Sequence, residues 1–128
     1  MYELYIVTKH TSWDWWDSLL PQFNTTNNDF LAWQRQITES STAKSYNFSI
    51  NGLTNGVSID RWTFLTKEDL IEFYNNYSSN DSTVNYNRAY PWNVMMDLIN
   101  QAGVSIRIYS IDPNGIEEVI YDNQSLLG

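Results

Sequence analysis

The first apolar block, Leu4-Tyr5-Ile6-Val7, has no polar position, the pattern of a strand covered on both faces in the middle of a sheet. Tyr46, Phe48 and Ile50 instead alternate with Asn47, Ser49 and Asn51, which predicts a strand with one wet face. Thr54-Asn55-Gly56 follows with residues that tolerate positive φ, and Val57-Ser58-Ile59 runs back, so a hairpin is expected over about 45–65. Asn51-Gly52 is a second candidate for its turn. After Asp60-Arg61 the apolar phase switches to Trp62 and Phe64, which predicts a bulge. A second hairpin is encoded by Val104, Ile106 and Ile108, the turn Asp112-Pro113-Asn114-Gly115, and Val119 with Tyr121.

Helical periodicity fills the intervals. Thr11 or Ser12 can cap a helix with Asp14 in its first turn, placing Trp13, Trp16, Leu20 and Phe23 on one stripe and Asp14, Asp17 and Ser18 away from it. Pro21 is a candidate stop. Asn28 or Asp29 can cap a short helix carrying Phe30, Trp33 and Ile37, with a strand as the alternative. Thr66 caps Lys67-Glu68-Asp69, after which Leu70, Phe73, Tyr74 and Tyr77 form a stripe opposed by Glu68, Glu72 and Asn75. Pro91 and Gly103 bracket a broader apolar face of Trp92, Met95, Met96, Leu98, Ile99 and Ala102. Segments 24–28, 38–45 and 75–88, rich in Asn, Ser and Thr, are expected to be loops.

This order of strands and helices predicts one α+β domain over 1–128, a mainly antiparallel sheet with helices on one face. The specific expectation is a ferredoxin-like split β-α-β topology with an added C-terminal hairpin strand.

Composition narrows the function. The chain has 128 residues with a formal charge of -8, and 42% of them are hydrophobic, too apolar for a disordered tail. Its seven cations, Lys9, Lys44, Lys67, Arg35, Arg61, Arg88 and Arg107, form no stripe, so direct nucleic-acid binding is not expected. No apolar run reaches the roughly 18 residues that cross a bilayer, and the first residues lack the basic flank of a signal peptide, so a cytoplasmic protein without membrane contact is expected. The absence of Cys removes disulfides and thiolate metal sites. No glycine-rich phosphate cradle is encoded, and no cofactor or metal is expected.

Candidate chemistry is sparse. His10, the single His, lies near Thr11, Ser12, Asp14 and Asp17, from which a nucleophile and base could be assembled. No G-x-S-x-G elbow accompanies it, and a solvated loop side chain beside Lys9 is the simpler reading. The carboxylate groupings Asp14 with Asp17, Glu68 with Asp69 and Glu72, and Glu117 with Glu118 lie largely in helix first turns, where acids complement the backbone dipole.

Aromatics carry the remaining signal, with six Trp, nine Tyr and five Phe. Trp15 projects about 100° from its helix's apolar stripe, beside acids. Tyr86, Tyr90 and Trp92 cluster near Arg88 at the end of the longest polar loop, a composition enriched in binding hot spots. The expectation is therefore a non-catalytic acidic module that binds, and blocks, a basic surface on a protein partner through Trp15, Asp14, Asp17, Tyr86, Tyr90, Trp92, Glu68 and Glu72. Fifteen Asn against three Lys suits a small viral or mobile-element accessory protein. One alternative is a small enzyme or ligand-binding domain using His10 with nearby carboxylates. Another is a virion or assembly component, in which open sheet edges pair copies of the chain into a homo-oligomer.

Overall fold

Alternating burial along the first strand sets the frame of the fold. The computed structural model describes residues 1–10, 14–22, 25–51, 56–81, 83–84 and 91–123. Among these, β1 (Tyr2–His10) is followed by α1 (Asp14–Gln22) and α2 (Asn27–Glu39), then β2 (Ser45–Asn51) and β3 (Gly56–Phe64). Next come α3 (Lys67–Tyr77) and α4 (Trp92–Gln101), and β4 (Ser105–Ile111) and β5 (Glu117–Asp122) close the described order. The strands form one antiparallel sheet in the order β2-β3-β1-β4-β5. That is the expected α+β fold, and its order is compatible with the split β-α-β arrangement, β5 being added beside β4.

On β1, Leu4, Ile6, Thr8 and His10 are buried, and the residues between them are more open. Inward positions of β3 and β4 join them: Trp62, Phe64, Ile106 and Ile108 pack with Ile37, Leu70, Phe73, Met95 and Ile99 of the helices in one core. Each such side chain taken out of water contributes about 1.5–3 kcal/mol. The outer face is held by cross-strand pairs. Tyr5 stacks on Tyr109 with ring centroids 5.0 Å apart, the Arg61 Nε donates to Glu3 at 2.8 Å, and Arg107 lies 3.0 Å from Glu117.

Local chemistry explains most boundaries. Thr66 accepts the Asp69 amide at 3.1 Å, and Leu70, Phe73 and Tyr77 of α3 are buried as the periodicity predicts. In the second hairpin, the Asp112 carboxylate accepts the amides of Asn114 and Ile116, and Gly115 takes a φ of 82° that L side chains rarely adopt.

Four expectations are corrected. Helix α2 starts one residue after Thr26, which accepts the Asp29 amide, so the cap lies upstream of Asn28 and Asp29 and the helix runs 13 residues into the expected loops. Pairing of β3 with β1 and with β2 is unbroken through Asp60 and Arg61, so no bulge follows them; the register shift lies instead between Ile108 and Tyr109, opposite β5. In α1, Leu19 and Leu20 are buried and Trp15 packs against the core, which turns the apolar stripe from the predicted one by about a residue and brings Trp15 onto it. His10 is not a solvated loop residue. It is the last residue of β1, paired with Gly56, and strand alternation turns it inward to 1% exposure.

The proposed caps Thr11 and Ser12, the stripe residues Trp13 and Phe23, the turn residues Gly52, Thr54 and Asn55, and Tyr86, Arg88 and Tyr90 lie outside the described residues.

Candidate functional site

The break in alternation on β3 has a different cause from the one expected. With the register continuous, Ser58 and Asp60 stand on the same inward face as Trp62 and Phe64, so polar side chains occupy core-facing positions halfway along a central strand. Thr8 of β1 opposes Ser58, and their hydroxyls hydrogen-bond. Above them, between the sheet and the helices, lies a cavity of about 390 Å³.

Its walls are aromatic. Trp15 and Trp16 from α1, Phe30 from α2, Phe48 from β2, Tyr77 from α3 and Trp92 from α4 all line it. The rings touch in sequence: Trp16 meets Phe30 edge-on at 5.0 Å, and Tyr77 meets Trp92 at 5.8 Å. Each contact of this kind adds about 0.5–1.5 kcal/mol beyond area burial and fixes the ring positions. Trp16 is further held by its indole N–H, which donates to Asn27 at 3.1 Å. The exposed lining residues Asp17, Asn27 and Ile50 mark the mouth, and the buried Ile6, Ile99 and Ile106 mark the depth.

One carboxylate anchors the polar floor. Asp60 Oδ1 accepts the Tyr46 hydroxyl at 2.5 Å and the Gln34 amide at 3.2 Å. Gln34, itself fully buried, accepts the Tyr77 hydroxyl at 2.7 Å, and Thr38 links its backbone carbonyl to the Trp62 indole. Burial pushes the Asp60 carboxyl up to about 6, against the opposing pull of its hydrogen bonds from Tyr46 and Gln34. The same desolvation, with the Asp60 charge beside it, raises the Tyr46 phenol and keeps it a donor. A carboxylate held this way is ionised near neutral pH at a cost, and its second oxygen remains to answer a bound group.

A smaller cavity of about 290 Å³ lies beyond Trp15, lined by His10, Asp14, Ser18 and residues 102–104. Desolvation lowers the His10 imidazole below its usual range. The indole nitrogen of Trp15, which borders both cavities, is buried with no hydrogen-bond partner among the described residues.

The sequence-derived candidates separate accordingly. Trp15, Asp17 and Trp92 line the large cavity, Asp14 and Trp15 border the small one with His10, and Glu68 and Glu72 lie exposed on α3, in neither lining. The described aromatic residues are buried or half-buried: Trp62, Phe64, Phe73 and Tyr77 lie in the core, Trp15, Trp16, Phe30 and Trp92 line the cavity, and Tyr5 and Tyr109 stack on the outer face of the sheet. Residues missed at the sequence level are Asp60, Gln34, Tyr46, Thr8 and Ser58. Their signal was the polar interruption between Ile6 and Trp62 on facing strands, which becomes a floor once the register is known. Among the described residues no three His, Cys, Asp or Glu side chains group to hold a metal ion, and no described helix is long and apolar enough to cross a membrane. In comparisons with known proteins, no family model, curated sequence or solved structure matches the chain.

Proposed function

We propose that this protein is a non-catalytic ligand-binding domain that holds a small, largely apolar molecule between its sheet and its helices. The observation that carries the reading is the cavity of about 390 Å³ with aromatic walls and one hydrogen-bonded carboxylate in its floor. Pockets that take small molecules hold about 300–1,000 Å³ and combine apolar walls with a few convergent polar groups. Binding rather than catalysis is favoured by the partners of the polar groups. Ser58 bonds Thr8 rather than a base, and among the described residues no His, Lys, Arg or Cys lines this cavity.

The reading is tested by NMR titration with 2-naphthalenemethanol, a neutral bicyclic probe. A weak complex with a Kd of about 10–500 μM is expected for a ligand of this size. Ile50→Trp, which puts an indole at the mouth, is expected to weaken it about fivefold or more. An unchanged Kd in that variant places the probe elsewhere and removes the reading.

A second reading keeps the acidic protein-binding module, supported by the outward face of α3, where Glu68, Ile71 and Glu72 are exposed together. An apolar side chain framed by acids suits a basic, amphipathic partner segment. Binding of a Lys- and Leu-rich helical peptide that survives Glu68→Lys with Glu72→Lys would remove this second reading.

A further inference from the structure

Resting on the reading of the large cavity as a ligand site, we infer that its ligand class is an organic ammonium ion, an amine or quaternary ammonium on an aromatic or aliphatic body. Among the described residues the lining includes two carboxylates, Asp17 at the mouth and Asp60 in the floor, and no Lys, Arg or His. Among these described groups an anionic ligand meets only like charge. A neutral one leaves the charge of Asp60 with its two hydrogen bonds and no counter-ion when the mouth is filled, which is costly in an apolar surround.

A cation answers both features. The two hydrogen bonds described for the Asp60 carboxylate fall on Oδ1, from Tyr46 and from Gln34, so Oδ2 is the oxygen positioned to receive an N⁺–H donor or to face an alkylated ammonium. The surrounding rings supply the second attraction. Trp15, Trp16, Phe30 and Trp92 are the side-chain type whose faces draw a cation, Trp most strongly. The overall charge of -8 enriches cations near the mouth before they enter.

Matched probes test this directly. The Kd values of 2-naphthylmethylammonium, 2-naphthalenemethanol and 2-naphthoate are measured by NMR at pH 7.5 and low salt. The ammonium ion is expected to bind about tenfold or more tighter than the alcohol, and the carboxylate more weakly than either. Asp60→Asn is expected to remove the ammonium preference. The wild-type protein provides a check that needs no variant. As pH falls through about 6, Asp60 takes up a proton and the ammonium affinity drops while that of the alcohol holds. The other titratable groups around Asp60 are Tyr46, whose phenol is raised by burial and stays protonated over this range, Tyr77, whose hydroxyl donates to Gln34, and Asp17 at the mouth; among the described residues β1, β4 and α4 contribute no ionisable lining residue. Alcohol binding as tight as ammonium binding at pH 7.5 overturns the cation assignment and leaves the pocket standing. Failure of all three probes to bind overturns the pocket itself.

Discussion

Gln34 places its amide nitrogen 3.2 Å from Asp60 Oδ1, and its amide oxygen takes the Tyr77 hydroxyl at 2.7 Å. One fully buried side chain thereby ties α2 to β3 and α3 and fixes the carboxylate that floors the cavity. Gln34→Leu removes the acceptor of the Tyr77 hydroxyl and one of the two donors to Asp60 Oδ1, leaving Tyr46 as the other. A loss of about 2–4 kcal/mol in unfolding free energy is expected from urea denaturation at pH 7.5. A loss under about 0.5 kcal/mol would show that the network contributes nothing to stability.

Asp60 and His10 act on stability in opposite directions over the same pH window. The Asp60 carboxyl is raised in the folded state to about 6, so its contribution is full at low pH and is lost as pH rises through that value. The His10 imidazole is lowered, so its contribution is present above its unfolded value and is lost as pH falls. His10→Gln is therefore expected to leave a protein that loses about 2–3 kcal/mol between pH 4 and 7. Asp60→Asn is expected to gain stability from pH 5 to 7. Urea denaturation at pH 4, 5, 6 and 7 measures both, and parallel profiles for the two variants would contradict the assignment.

The hydrogen bond from Tyr46 favours the ionised form of Asp60, since it is the charged carboxylate that it stabilises. Tyr46→Phe is expected to move the Asp60 titration upward from about 6, read from the chemical shift of its carboxyl carbon. A downward move would mean that the Tyr46 hydrogen bond does not favour the ionised carboxylate.

How far these features were readable in the chain depends on whether the signal was local. Helix α3 was fully legible because Thr66 and the Leu70, Phe73, Tyr77 stripe sit within one continuous period. The α+β class and the two hairpins were legible from short-range alternation, the turn residues and the helices between them. The candidate site was not, because it depends on register. Ser58 and Asp60 interrupt an apolar pattern, and an interruption looks the same whether the strand bulges or its polar side chains face inward. Only pairing with Thr8 on one side and Tyr46's strand on the other decides between them. His10 was misplaced for a related reason: the length of β1 decides its side, and the four apolar residues that signalled the strand end three residues before it.

Trp15 separates packing from docking. Its ring contacts Trp16 at 5.5 Å and packs on the core, so Trp15→Ala is expected to cost about 3 kcal/mol in stability. Glu72→Ala, on the exposed face of α3, is expected to stay within about 0.5 kcal/mol of the parent. A stable Trp15→Ala protein would return this residue to the surface role first expected of it.

The central claim is that the space between sheet and helices admits a small molecule. Intermolecular nuclear Overhauser contacts from the naphthyl protons of a bound 2-naphthalenemethanol test it most directly. Contacts to the methyl groups of Ile6, Ile99 and Ile106, which line the cavity's depth, are the predicted result. Contacts confined to Val7 and Val119, neither of which lines the cavity, would contradict it.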